Sequence, residues 1–192
     1  MSSETAKKKL KPSKIILGID PGTSVMGYGL IEVSGSQLKL LQYGVIHLKK
    51  YSNHALKLKK IFDRVSSIIQ DYHPDEVALE APFYGNNVQS MLKLGRAQGV
   101  AMAAALFHEV PISEYAPLKV KQAVTGRGRA SKEQVAAMIM QMLNIKEAPK
   151  LLDATDALGV AICHHFNAGK VKKSTDSWKS FLTDNPDRIA GQ

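Results

Sequence analysis

Cysteine is nearly missing from these 192 residues. The one present, Cys163 in "DALGVAICHH", has no partner for an internal disulfide, which fits a reducing cytoplasm and a small core residue. Long apolar runs are lacking too: no stretch reaches the roughly 18 residues of a membrane-crossing helix. The opening "MSSETAKKKLKPSK" is polar and basic, without the apolar segment of a secretory signal. Also absent are a GxxxxGK[ST] phosphate loop, a CxxC pair, a Ser-His-Asp set and any internal repeat. These absences remove the membrane, disulfide-scaffold and P-loop classes. Acidic residues are outnumbered, 17 against 26 basic, giving a formal charge of +9 and a pI near 9.6. Such an excess favours a polyanionic partner through phosphate neutralisation and counterion release. Part of the excess sits at the ends, in Lys7, Lys8, Lys9, Lys11 and Lys14 and again in Lys170, Lys172 and Lys173.

What is present is enough for one core, at 44% hydrophobic residues. Residues 1–13 offer almost nothing to bury and read as a disordered basic arm. "IILGI" and "GYGLIEV" flank a "DPGTS" turn, and "LKLLQYGVIHL" follows a second turn, "SGSQ". Strands on connections this short pair as an antiparallel meander. Over 53–72 the apolar period lengthens to three or four, the spacing of an amphipathic helix. "HPDEVALE" then reads as a turn and a buried strand, and "NNVQSMLKLGRAQGVAMAAALF" as a long helix opened by an Asn cap. "VPISEYA" is a fifth strand. Helices are expected over 117–124, with proline at the start, over "SKEQVAAMIMQML", and over "KLLDATDALGVAICHHF". The expected architecture is an α/β domain over 14–168, with a loose tail at 169–192. Its mixed five-stranded sheet has three antiparallel strands, then two parallel ones, with helices on both faces. That element order resembles the ribonuclease-H-like fold.

Four acids stand where acids are costly. Asp20 closes the first strand, Glu80 closes the fourth, and Asp153 and Asp156 share one face of an otherwise apolar last helix. Singly, Asp20 could cap its turn, Glu80 could be an exposed strand end, and the pair could form a solvated stripe. Together they are harder to dismiss, because buried carboxylates need compensation. With the first and fourth strands adjacent, both strand-end acids converge at one sheet edge, and the last helix brings its acidic face there. Hard oxygen ligands suit Mg²⁺ or Mn²⁺, and two such ions could drive phosphodiester hydrolysis. A basic surface would then hold the polyanion around an acidic centre.

The segments "ILGIDPGTSVMGYGLIEV", "ALEAPFYGNNVQSMLKLGRAQGVAMAAA", "EYAPLKVKQAVTGRGRASKEQV" and "DATDALGVAICH" resemble, in order and spacing, the blocks of the RuvC family of Holliday junction resolvases. The resemblance covers about Ile15 to His165. It implies a homodimeric crossover-junction endodeoxyribonuclease, bacterial, cytoplasmic and nucleoid-associated, acting in recombination and repair beside the RuvA–RuvB branch-migration complex. It implies paired symmetric nicks in four-way junction DNA, leaving 5′-phosphate and 3′-hydroxyl ends, with two Mg²⁺ or Mn²⁺ ions per site. By position, Asp20 would bridge the metals, with Glu80 and Asp153 or Asp156 completing the shells. Some relatives carry histidine where Asp153 stands, so the closer ligand of this pair stays open. Phe83 matches an aromatic that stacks on bases near the crossover. Its other reading is a core residue beneath the loop. Lys121 and Lys132 match basic residues facing DNA, and Arg127 and Arg129 lie on a Gly-rich loop that resembles a phosphate-contacting segment. Gly95 and Gly99, one helical turn apart, serve either a dimer interface or tight helix–sheet packing, and the family's dimer uses the matching helix.

Three rivals compete. "GIDPGTS" also reads like the first phosphate loop of actin-like ATPases and sugar kinases, but that class needs two related domains and a second Gly-rich loop. A related ribonuclease-H-like nuclease of YqgF type, acting on another nucleic acid, lies nearer. The third is a junction-binding module whose acids are structural.

Overall fold

The structure, a computed structural model, describes residues 13–82, 87–147 and 152–168. Ten elements follow one another: β1 (Ser13–Asp20), β2 (Val25–Ser34), β3 (Gln37–His47), α1 (His54–Tyr72), β4 (Glu76–Glu80), α2 (Val88–Phe107), β5 (Ile112–Tyr115), α3 (Pro117–Thr125), α4 (Lys132–Met142) and α5 (Leu152–Asn167). They form one sheet in the order β3-β2-β1-β4-β5. The first three strands pair antiparallel, and β4 and β5 join in parallel. This is the expected mixed sheet, and β1 and β4 are neighbours, as convergence of the two strand-end acids requires. The expected arm and tail lie outside the described residues, apart from Ser13, which already belongs to β1. Among the described residues, no helix is long and apolar enough to cross a membrane.

Strand alternation sorts the side chains onto two faces. Leu17, Ile19, Met26, Tyr28, Leu30, Val77 and Leu79 join a core with residues of α1 and α2. Ile16, Ile31, Val33 and Ala78 face the other way, into a core with α3, α4 and α5. By the same alternation Gly18 and Asp20 follow Ile16, and Glu80 follows Ala78, onto the α5 face. Helix ends are set locally. Asn53 Oδ1 accepts from Ala55 N at 2.8 Å, and Asn87 Oδ1 accepts from Ser90 N at 3.0 Å. Ser131 and Gln134 form a reciprocal capping box at the start of α4.

Helix α5 lies on the sheet with its backbone almost against the strands. A Cβ placed on Gly18 would overlap the carbonyl oxygen of Ala157 and come within 2.8 Å of Ala161 N. On Gly29 it would meet Leu158 Cδ2 at 2.6 Å, and on Gly27 it would collide with the Asp153 carbonyl. The three glycines therefore let α5 sit deep enough to be almost wholly buried, from Ala154 through His164 apart from Asp156. Cys163 is one of its buried residues, as expected, and burial pushes its thiol up to about 11. At the far end of α5, His164 Nδ1 meets the Tyr115 hydroxyl at 2.8 Å. His164 Nε2 pairs with Glu76, which also pairs with Lys14. This chain of polar contacts anchors the C-terminal half of α5 to β1, β4 and β5.

Replacing Gly18 with alanine drives the new Cβ into the α5 backbone at Ala157 O, an overlap that no rotamer relieves. Urea denaturation should show a loss of about 1–3 kcal/mol or more. An unchanged midpoint would mean that α5 does not bear on Gly18.

Candidate active site

Asp20 and Glu80 end adjacent parallel strands whose last paired residues are Ile19 and Leu79. Both point toward the N-terminal turn of α5. There Asp156 joins them: Asp20, Glu80 and Asp156 line one cavity of about 290 Å³ with Pro117, Val120, Lys121, Lys132 and Val135. Asp153 stays outside that lining. Its carbonyl packs over Gly27, and its carboxylate acts on Asp20 less than those of Glu80 and Asp156 do. Of the helical pair, the structure thus brings Asp156 closer to the strand-end acids. Gln98 of α2, which stood out in no sequence motif, donates to Glu114 Oε1 at 2.5 Å and lies 3.4 Å from the Glu80 carbonyl. It ties the Glu80 strand end to α2 and β5. A buried glutamine in an alanine-rich helix was the available signal.

The electrostatics are those of an undercompensated acidic cluster. Burial, then the charges of Glu80 and Asp156, push the Asp20 carboxyl up to about 8, against a smaller opposing pull from Lys132. Glu80 is pushed up to about 7 by burial and by Asp156, with Lys132 and Lys121 opposing. Oxygen donors carrying unmet negative charge fit a hard divalent cation. The spacing is less complete. Among the described residues, no group of three or more acids, histidines or cysteines is placed to hold a metal ion. Asp156 is also engaged by a cation of the chain: Lys132 Nζ donates to its Oδ2 at 2.9 Å.

The basic residues divide. Lys121 Nζ donates to the Ala130 carbonyl at 3.0 Å and so also braces the loop between α3 and α4. Arg127 and Arg129 are exposed on that loop, with no ion pair among the described residues. Thr125 Oγ1 donates to the Arg127 carbonyl at 2.9 Å and accepts from Arg127 N at 3.2 Å, shaping the turn. Phe83 lies outside the described residues. A methyl group added to Gly95 or Gly99 would meet nothing within 4 Å among the described residues, so tight helix–sheet packing is not their role.

The sheet order and the helix across its β1–β4 edge define a ribonuclease-H-like α/β protein. Residues 16–164 match the model of the family described as "Crossover junction endodeoxyribonuclease RuvC". A protein of that description from Cytophaga hutchinsonii is 66% identical over 176 residues, covering 92% of this chain and 88% of the relative. One from Bacteroides fragilis is 56% identical, over 92% and 96%. Among solved structures, Thermus thermophilus RuvC in complex with Holliday junction substrate superposes with a TM-score of 0.77 at 35% identity, over 81% of this chain and 94% of that one. The yeast mitochondrial Holliday junction resolvase Ydc2, 14% identical with a TM-score of 0.63, shares the fold over 91% of this chain and 87% of its own. The chain belongs to the RuvC family.

A carboxyl held protonated by the fold loses stability when it ionises. Asp20 and Glu80 titrate near 4 in an unfolded chain and near 8 and 7 here. Their stabilising contribution is therefore full below about pH 4 and is lost as pH rises toward 8. In EDTA, Asp20→Asn should raise the melting temperature by a few degrees at pH 8.5 and change it little at pH 5. A stabilisation equal at both pH values would show that Asp20 is not strained by ionisation.

Proposed function

We infer that this chain hydrolyses phosphodiester bonds at the crossover of four-way DNA junctions. The observation that carries this reading is its match, along most of its length, to a resolvase solved with its junction, together with the Asp20, Glu80 and Asp156 cavity. Water attacks the scissile phosphorus, the bond to the 3′ oxygen breaks, and the products carry 5′-phosphate and 3′-hydroxyl ends. A divalent ion, when bound, supplies charge neutralisation at the phosphate and acidifies the attacking water. Asp20, Glu80 and Asp156 would hold it, with Asp153 in reserve beside them. Mg²⁺ or Mn²⁺ fits this all-oxygen set, and two ions per site is the arrangement the family resemblance implies.

The remaining parts serve positioning. Arg127 and Arg129, exposed on the loop between α3 and α4, would contact phosphates near the crossover, and Lys121 lines the cavity from α3 while bracing that loop. Phe83, just after β4, would stack on an unpaired base for about 1–3 kcal/mol. Paired cuts need two sites, and the face of α2 suits a second copy. Val88 and Leu92 are exposed there beside a shallow groove that includes Gly95 and Arg96. A bacterial cytoplasmic setting and work beside RuvA–RuvB rest on family membership alone.

Glu80→Gln and Asp156→Asn should each slow nicking of a synthetic mobile junction by about a hundredfold or more, the scale of several kcal/mol of charge stabilisation. Gel-shift affinity for the junction should change little. Cleavage at near wild-type rate would remove these acids from the chemistry, and equal cleavage of linear duplex would remove the junction specificity.

A further inference from the structure

Lys132, a residue expected to face DNA, is held in the absence of DNA by an acid of the cavity. It is the first residue of α4, where the helix dipole disfavours a cation. The capping box fixes that helix start, with Gln134 Oε1 accepting from Ser131 N at 2.9 Å and Ser131 Oγ from Gln134 N at 3.3 Å. The side chain is largely exposed, with about 62% of its surface open, yet its ammonium is tied to an acid rather than left to water alone. It turns into the acidic cavity and donates to Asp156 Oδ2 at 2.9 Å. Of the two lysines lining the cavity, Lys121 is bonded to a backbone carbonyl and Lys132 to an acid.

We propose that Lys132 is a tethered counter-ion for Asp156, a latch that competes with a divalent cation and is released toward the DNA phosphates when the cation binds. The inference rests on the metal-site reading above. An ammonium bonded to a ligand oxygen repels an incoming cation and keeps that oxygen from turning to Asp20 and Glu80. This accounts for the acids lining one cavity while, among the described residues, no group of them is placed to hold a metal. The four methylenes of lysine let the ammonium swing out without moving α4, which its capping box holds. Metal loading and phosphate capture thereby become one linked event: the charge that leaves Asp156 becomes available to the substrate. The latch would favour metal entry when a junction is present to receive the ammonium.

The test needs no catalysis. Mn²⁺ is titrated into the purified full chain without DNA, and free Mn²⁺ is counted by electron paramagnetic resonance. Lys132→Met should bind Mn²⁺ about three- to tenfold tighter than wild type. Lys132→Arg, which retains the ion pair, should stay near wild type, and Lys121→Met should shift less than Lys132→Met. Unchanged or weaker binding in Lys132→Met overturns the latch, as does an equal gain in Lys121→Met. The absence of any saturable Mn²⁺ binding, in wild type and variants alike, would instead overturn the metal site on which the latch depends.

Discussion

Everything at the acidic cavity depends on how closely α5 approaches β1 and β2. Gly18, Gly27 and Gly29 remove the side chains that would hold the helix off, so its backbone rests against theirs. This puts Asp156 within electrostatic reach of Asp20 and Glu80. A helix standing one methyl layer higher would leave three separate acids, each more solvated and less perturbed. The polar chain from Tyr115 through His164 and Glu76 to Lys14 holds the other end of the same helix. The helix is thus fixed at both ends, by small residues at the site and by hydrogen bonds away from it.

The cluster costs the fold stability, and the surrounding charge explains how it is used. Net charge is +9, yet Asp20 and Glu80 both remain undercompensated. The nearby cations are engaged elsewhere or only partly: Lys121 with a carbonyl, Lys132 with Asp156, and Arg127 and Arg129 turned outward. A site that concentrates negative charge inside a positive surface has two partners to satisfy, a cation within and a polyanion without. That division of labour is what a phosphodiester-cleaving member of the RuvC family requires. It also gives Lys132 a reason to sit between the two.

Much of this was legible in the sequence because it rests on local rules. The meander followed from period-two runs with short turns, and the helices from their period and caps. The placement of Asp20 and Glu80 followed from their positions as last residues of buried strands. Pairing β1 with β4 needed the fold pattern, and the sheet order bears it out. The glycines under α5 gave no such signal. Gly18 and Gly29 look like ordinary weak points in a strand, and their purpose lies in a helix more than 120 residues away. The pairing of Lys132 with Asp156 was equally hidden, since charge pairs between different helices have no sequence period. Sequence spacing put Asp153 and Asp156 on one face but could not say which reaches the cavity. Depth of packing decided that, in favour of Asp156. For Gly95 and Gly99, the tight helix–sheet packing reading fell away once nothing among the described residues proved to lie against them.

The central claim is that Asp20, Glu80 and Asp156 form one metal-binding centre. Crystals soaked in Mn²⁺ and measured at the manganese absorption edge test it most directly. The expected result is an anomalous-difference peak bounded by those three carboxylates, with the Lys132 ammonium withdrawn from Asp156. A map without a peak at that position, or with the metal bound elsewhere and the lysine still paired, would contradict it.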